Sequence, residues 1–246
     1  MKYSAPHLKV SSGDISERVL VMGDPFRVEK IALLCDSAEE IAWNREYRTF
    51  NAFYRGVAIT LCSHGVGAPG AAICFEELIK CGAKVIIRLG TGGSLRPDEI
   101  KQGDLVVSLA AAREDGCTQL LVAPQFPAIS DSEIALALKS VVNQLGARVH
   151  CGVTLTHSLF YNSGIASNDH LKLYADSGCI AVEMEVSALF VIASLHKVRA
   201  GALFVIDGSP FTWQGGEYHP DEKLLEEGKR IMFLAGLQVI TQCGTN

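Results

Sequence analysis

Lys84-Val85-Ile86-Ile87-Arg88-Leu89 runs straight into Gly90-Thr91-Gly92-Gly93-Ser94, and the reading of this stretch decides the fold. A short, unbroken apolar run rich in Val and Ile suits a strand buried on both faces of a sheet. The glycines after it read as an open turn at the strand's end. The same grammar recurs. Val19-Leu20-Val21-Met22 ends at Gly23-Asp24-Pro25, and Ala58-Ile59-Thr60-Leu61-Cys62 ends at His64-Gly65-Val66-Gly67. Leu105-Val106-Val107-Ser108, Val153-Thr154-Leu155-Thr156, Ile180-Ala181-Val182 and the run from Gly201 to Ile206 complete the set.

Amphipathic segments fill the gaps. Pro69 suits a helix first turn, and the pattern through Glu76-Glu77-Leu78-Ile79 stops at Gly82. Ser130 with Glu133 reads as a capping box, and Gly146 as the residue just past that helix. Glu185 to His196 and Asp221 to Gln242 read as further helices. Strands alternating with helices predict an α/β fold, a single domain over residues 1–246 with a mixed, largely parallel central β-sheet covered by helices. No linker or repeat divides the chain. Ligands of such folds bind at the carboxyl ends of strands.

The bulk numbers set bounds. Hydrophobic residues make up 48% of the 246, enough for a sizeable core, and the net charge of −5 argues against a nucleic-acid partner. No apolar run reaches the roughly 18 residues of a membrane span. The stretch Met1-Lys2-Tyr3-Ser4-Ala5-Pro6-His7 lacks the apolar segment of a secretory signal, so a cytoplasmic protein is expected. Eight cysteines form no CxxC pair and fall in apolar stretches, as reduced core residues do. His64 sits in a strand-end turn where it serves backbone hydrogen bonding. His150, His157, His170, His196 and His219 show no metal-ligand spacing, and no metal site is expected.

Two patterns suggest chemistry. Gly23-Asp24-Pro25-Phe26-Arg27 and Arg88-Leu89-Gly90-Thr91 each join an open backbone to an arginine, a combination suited to an oxyanion. Neither has the spacing of a nucleotide-binding loop. Arg88 lies inside an apolar strand and needs either an internal carboxylate or an anionic ligand. Val182-Glu183-Met184-Glu185 places two acids at a strand end, on the same side by alternation, and Ile206-Asp207-Gly208 places a third. A glutamate accepts both hydrogens of a vicinal diol such as that of ribose. An aspartate at the mouth of an apolar pocket has a raised pKa and donates a proton.

Taken in order, His7, Gly23-Asp24-Pro25-x-Arg27, Asn44-Arg45-Glu46-Tyr47, His64-Gly65-Val66-Gly67, Arg88-x-Gly90-Thr91, Glu183-Met184-Glu185 and Asp207-Gly208 resemble the nucleoside phosphorylase family, which includes hexameric purine and uridine phosphorylases. Asn44 to Tyr47, Cys74 to Leu78 and Ala112 to Asp115 look most like its purine-specific members from apicomplexan parasites. The resemblance implies phosphorolysis of purine nucleosides to free base and ribose 1-phosphate. Inorganic phosphate is then a co-substrate, and no cofactor is needed. It implies that Gly23, Arg27, Arg88 and Thr91 bind phosphate, with Arg45 reaching in from a neighbouring subunit. Glu185 would hold the ribose hydroxyls with help from Met184, and His7 of the neighbour would meet the 5′-hydroxyl. Phe160 or Tyr161 would stack on the base near Val182 and Glu183. Asp207 would protonate the purine N7, and Trp213 on its Gly-rich loop would close over the base. The implied assembly is a homohexamer, a trimer of dimers.

Two departures bear on the base. Many purine-specific members carry Ser-Cys-Gly where this chain has Thr91-Gly92-Gly93, and threonine there also occurs in uridine phosphorylases. Uridine phosphorylases, however, place a Gln-x-Arg pair soon after Phe-Tyr, and Asn162-Ser163-Gly164-Ile165-Ala166 has none. The expectation is therefore a purine. A uridine phosphorylase and a non-catalytic nucleoside-binding protein are the alternatives.

Overall fold

The computed structural model describes residues 2–161, 169–212 and 218–245. In chain order the elements are β1 (Arg18–Met22), α1 (Pro25–Ala32), β2 (Ser37–Asn44), β3 (Tyr47–Tyr54), β4 (Val57–Ser63), α2 (Ala68–Cys81) and β5 (Val85–Ser94). There follow β6 (Leu105–Glu114), β7 (Ala128–Ile129), α3 (Ser132–Gln144), β8 (Val149–His157), α4 (Asp169–Asp176), β9 (Ala181–Glu183), α5 (Val186–His196), β10 (Arg199–Gly208) and α6 (Glu222–Gln242). The strands join in the order β10-β6-β8-β9-β5-β1-β4-β3-β2, and β10 also pairs with β5. That extra pairing closes five strands into a ring, from which β1, β4, β3 and β2 extend as a flange.

Helices cover both faces because the central strands are apolar on both. Leu20 and Met22 of β1 belong to one buried cluster with residues of α1, α3 and α6, while the intervening Val19 and Val21 belong to another with residues of α2 and α5. Strand β5 divides in the same way, with Val85, Ile87 and Leu89 on the first face and Ile86 on the second. Arg88 shares the side of Ile86, toward the starts of α2 and α5. Strands β1, β4, β5 and β10 are mutually parallel, so their carboxyl ends lie together.

Three sequence expectations change. First, Gly90-Thr91-Gly92-Gly93 is not a turn; it continues β5, paired with β10 and β9. Its glycines meet close neighbours instead. A Cβ on Gly90 would lie 2.5 Å from Arg88 Nη1, on the same strand face, so the guanidinium lies flat over the strand only if residue 90 has no side chain. A Cβ on Gly92 would lie 2.8 Å from the Val182 carbonyl and 2.9 Å from the Phe204 ring. Second, the cap of α3 is Asp131, which accepts from the Ile134 amide at 3.0 Å. Ser130 instead donates to the Leu109 carbonyl, and Glu133 reaches Arg199, so the expected box does not form. The carboxylate one residue on is the acceptor that fits. Third, Gly23-Asp24-Pro25 opens a helix, not merely a turn: Asp24 caps α1 and Pro25 is its first residue.

Candidate active site

A cavity of about 620 Å³ opens where the parallel strands end. Gly23-Asp24-Pro25 at the start of α1, Gly65 and Val66 just before α2, and Glu185 at the start of α5 all line it. Three helix N-termini therefore face one space, each with backbone amides that lack helical partners and a partial positive charge. Arg27 and Arg88 add full charges to the same wall. An anion is the natural occupant of such a field.

Arg88 meets the first alternative left open by the sequence, an internal carboxylate, and keeps donors free for the second. Its guanidinium is buried between two carboxylates, pairing through Nη2 with Glu185 Oε2 and standing 3.5 Å through Nη1 from Glu183 Oε2. Yet Nε and Nη1 make no hydrogen bond although both are buried. The ion pair settles the charge and leaves donors unused, and buried donors without partners are costly unless a ligand meets them.

The two glutamates differ in their attachments. Glu183 Oε1 accepts from the Thr156 hydroxyl at 2.5 Å, and Oε2 accepts from the amides of Glu185 at 2.7 Å and Val186 at 2.8 Å. It lines the cavity while fastening the first turn of α5. Glu185 follows the end of β9 and caps α5 by position, yet its side chain still reaches Arg88, and its Oε1 accepts from the Gly67 amide at 2.6 Å. Burial opposes ionisation of both. At Glu183 it prevails and pushes the carboxyl up; at Glu185 the Arg88 charge and the Gly67 amide outweigh it and hold the carboxyl below its ordinary range. Glu185 is thus the charged acceptor, oriented before any ligand arrives.

Asp207 is the penultimate residue of β10, is buried, and lines the cavity. Burial pushes its carboxyl up to about 6, against the pull of the Tyr218 hydroxyl, which donates to Oδ2 at 2.9 Å, and of the Thr91 hydroxyl. Tyr218 stabilises the ionised form, so its loss moves the titration upward. In Tyr218→Phe the pH at which activity falls on the alkaline side is expected to shift up by about 0.5–1 unit, the 1 kcal/mol scale of one hydrogen bond. Measured pH–rate profiles of the two proteins check the sign.

Gly23, Arg27, Arg88, Thr91, Phe160, Val182, Glu183, Met184, Glu185 and Asp207 all border the cavity. Tyr161 does not; it is exposed and packs edge-on against Phe160 at 4.9 Å between ring centroids. Trp213 lies outside the described residues. Neither His7 nor Arg45 lines its own chain's cavity. Asn44 Nδ2 donates to the His7 carbonyl at 2.8 Å, and the His7 ring meets Glu77 Oε1 at 2.6 Å.

Sequence reasoning left several cavity residues without a role, Leu171 and Pro210 among them. Glu46 sat within a quoted motif without a role, and Tyr218 lies eleven positions beyond Asp207 with no local signal. His157 and Leu159 border the space as well. His64 fits its backbone role: its Nδ1 bonds the Gly65 carbonyl at 2.8 Å, which requires the proton on Nδ1. Burial pushes this imidazole down to about 4, so it is neutral at ordinary pH.

A pocket of this make-up suits a transferase that places an anion beside a hydroxyl-rich ligand. Residues 17–237 match the family described as the Phosphorylase superfamily, and the chain belongs to that family. It is 40% identical over 232 residues to a purine nucleoside phosphorylase of Plasmodium vivax, covering 94% of each chain. It is 35% identical to a uridine phosphorylase of Thermococcus kodakarensis, covering 93% of this chain and 86% of the other. The crystal structure of a purine nucleoside phosphorylase from Toxoplasma gondii in complex with immucillin-H superposes with a TM-score of 0.92 at 35% identity, covering 97% of this chain and 96% of that one.

Proposed function

We propose that this chain is a phosphate-dependent nucleoside-cleaving enzyme of purine salvage, acting on purine (2′-deoxy)ribonucleosides such as inosine and guanosine. The observation that carries the reading is one buried carboxyl, Asp207, held up near 6 in a cavity that also holds an arginine with unused donors. Phosphate bound by Arg88, Arg27 and the amides near Gly23 would lie close to Glu185, which holds the ribose diol. As the C1′–N9 bond breaks, its electron pair goes to the purine and the ribose gains oxocarbenium character. The Asp207 carboxyl gives its proton to N7, and a phosphate oxygen forms the new bond to C1′. The anion both stabilises the cationic sugar and attacks it. Phosphate is positioned and not cleaved, so this chemistry draws on no cofactor.

Kinship includes both purine- and uridine-specific enzymes, so the base is argued from the site. A proton donor is useful opposite N7 of a purine, and uracil offers no such nitrogen. Expected kcat/KM values favour inosine over uridine by at least about 10²-fold, the scale on which general-acid catalysis counts. Comparable values for the two would support the uridine reading instead. The eight cysteines are free thiols, which suits the cytoplasm. No helix among the described residues is long and apolar enough to cross a membrane.

The reading also assigns His7 and Arg45 to a neighbour's site in a homohexamer. Arg45 occupies the two-residue connection between β2 and β3 with φ 56°, a left-handed conformation that ordinary residues adopt at a cost. An exposed arginine held there, outside the lining of its own cavity, fits a side chain presented outward. Mixing and reassembling Arg45→Ala with Asp207→Ala subunits is expected to restore activity, because some sites then combine intact Asp207 with intact Arg45. If Arg45 serves its own chain, mixing restores nothing.

A further inference from the structure

Glu114, His157 and His170 form a cluster that nucleoside cleavage does not use. Glu114 ends β6 and His157 ends β8, and the parallel register sets them directly opposite each other. His170 comes from the first turn of α4. Tyr174, one turn further along α4, donates its hydroxyl to Glu114 Oε1 at 2.6 Å. This fixes the carboxylate so that Oε2 faces both imidazoles, 3.3 Å from His157 Nδ1 and 2.5 Å from His170 Nε2. One donor atom from each of the three residues lies within 4.8 Å of the others. His157 Nδ1 is buried and makes no hydrogen bond, because its approach to Glu114 lacks the required geometry.

We propose that Glu114, His157 and His170 bind a single divalent transition-metal cation of the Zn²⁺ class. Two imidazole nitrogens and one carboxylate oxygen suit Zn²⁺, Co²⁺ or Ni²⁺ and not Mg²⁺ or Ca²⁺, which prefer all-oxygen shells. Bonds of about 2.0–2.2 Å in tetrahedral geometry place ligand atoms about 3.4 Å apart. The Glu114–His157 separation of 3.3 Å already matches this. His170 is half-exposed, and a small side-chain movement opens its 2.5 Å contact to the same spacing. Tyr174 is the outer partner that orients the carboxylate, as metal sites commonly require. The unpartnered Nδ1 of His157 gains a bond that nothing else in the described structure supplies. Sequence spacing hides the cluster because its members come from three elements. The ion would tie α4 to the ends of β6 and β8, with His157 and Leu171 bordering the cavity.

The test reads metal and not turnover. The full chain, stripped with a chelator, is titrated with Co²⁺ while visible absorption and calorimetry are followed, and Zn²⁺ is then used to displace it. The expected result is one ion per chain, tetrahedral-type visible bands without the thiolate charge-transfer band that cysteine ligands would give, and a raised melting temperature. His170→Ala, at an exposed position that folding tolerates, should weaken binding by at least about tenfold, and Tyr174→Phe by about 10–100-fold. Circular dichroism confirms that both variants are folded. No stoichiometric uptake at micromolar Co²⁺ or Zn²⁺, or uptake unchanged in folded His170→Ala, overturns the proposal and leaves a hydrogen-bonded triad.

Discussion

Asp207→Asn is expected to lower kcat for inosine by about 10²–10⁴-fold while leaving KM for the nucleoside within a few-fold. The substitution keeps the size and the ability to meet Tyr218 but removes the transferable proton. Its effect therefore falls on the transition state, where N7 acquires the proton, and not on ground-state binding. The pH profile carries a second signature. With the carboxyl at about 6, the proton-donating form is lost as pH rises through that value, so wild-type kcat/KM declines on the alkaline side. The asparagine variant has no such group, and its residual activity should be flat there. Stability moves the other way. A carboxyl at about 6 in the folded chain, against 3.8 when free, disfavours the folded state once ionised. The variant should gain melting temperature relative to the wild type as pH rises from 4 through 6, with no gain below 4. Activity lost and stability gained in one substitution is what a buried acid kept for function implies. An asparagine variant of undiminished kcat would remove Asp207 from the reaction.

Arg88→Ala has the second large effect, and it has two parts. The alanine leaves Glu183 and Glu185 buried with no cation between them. Breaking a buried pair in this way costs about 3–5 kcal/mol, read as a lowered midpoint in denaturant unfolding. The same change removes the unused donors proposed to meet phosphate, so the phosphate KM should rise by at least about 30-fold, equivalent to about 2 kcal/mol. Arg88→Lys separates the two parts. A lysine restores a charge near the glutamates but not the planar fork. It should recover most of the stability and little of the phosphate affinity. An Arg88→Ala protein with an unchanged midpoint would show that the glutamates are neutralised in some other way.

Much of this is legible in the sequence, for identifiable reasons. The strands buried on both faces announce themselves as Val- and Ile-rich runs, which is why β1, β4, β5 and β10 were found. Asp207 and the Glu183–Glu185 pair stood out because charge at the end of such a run requires a reason. The β2–β3 hairpin did not stand out, because β2 is an exposed edge carrying Glu39 and Glu40. The glycines at 90 and 92 were misread as a turn. Their cause is the space taken by Arg88 and Phe204, which no local pattern reveals. Tyr218, Glu46 and the Glu114–His157–His170 cluster depend on contacts between distant segments, so only the fold brings them to view.

The central claim is that this chain uses phosphate, and not water, to release a purine. Purified protein incubated with inosine, with and without phosphate, tests it most directly. The account predicts hypoxanthine release that requires phosphate and is matched mole for mole by ribose 1-phosphate. Release at the same rate without phosphate, or inosine binding with no release in its presence, would contradict it.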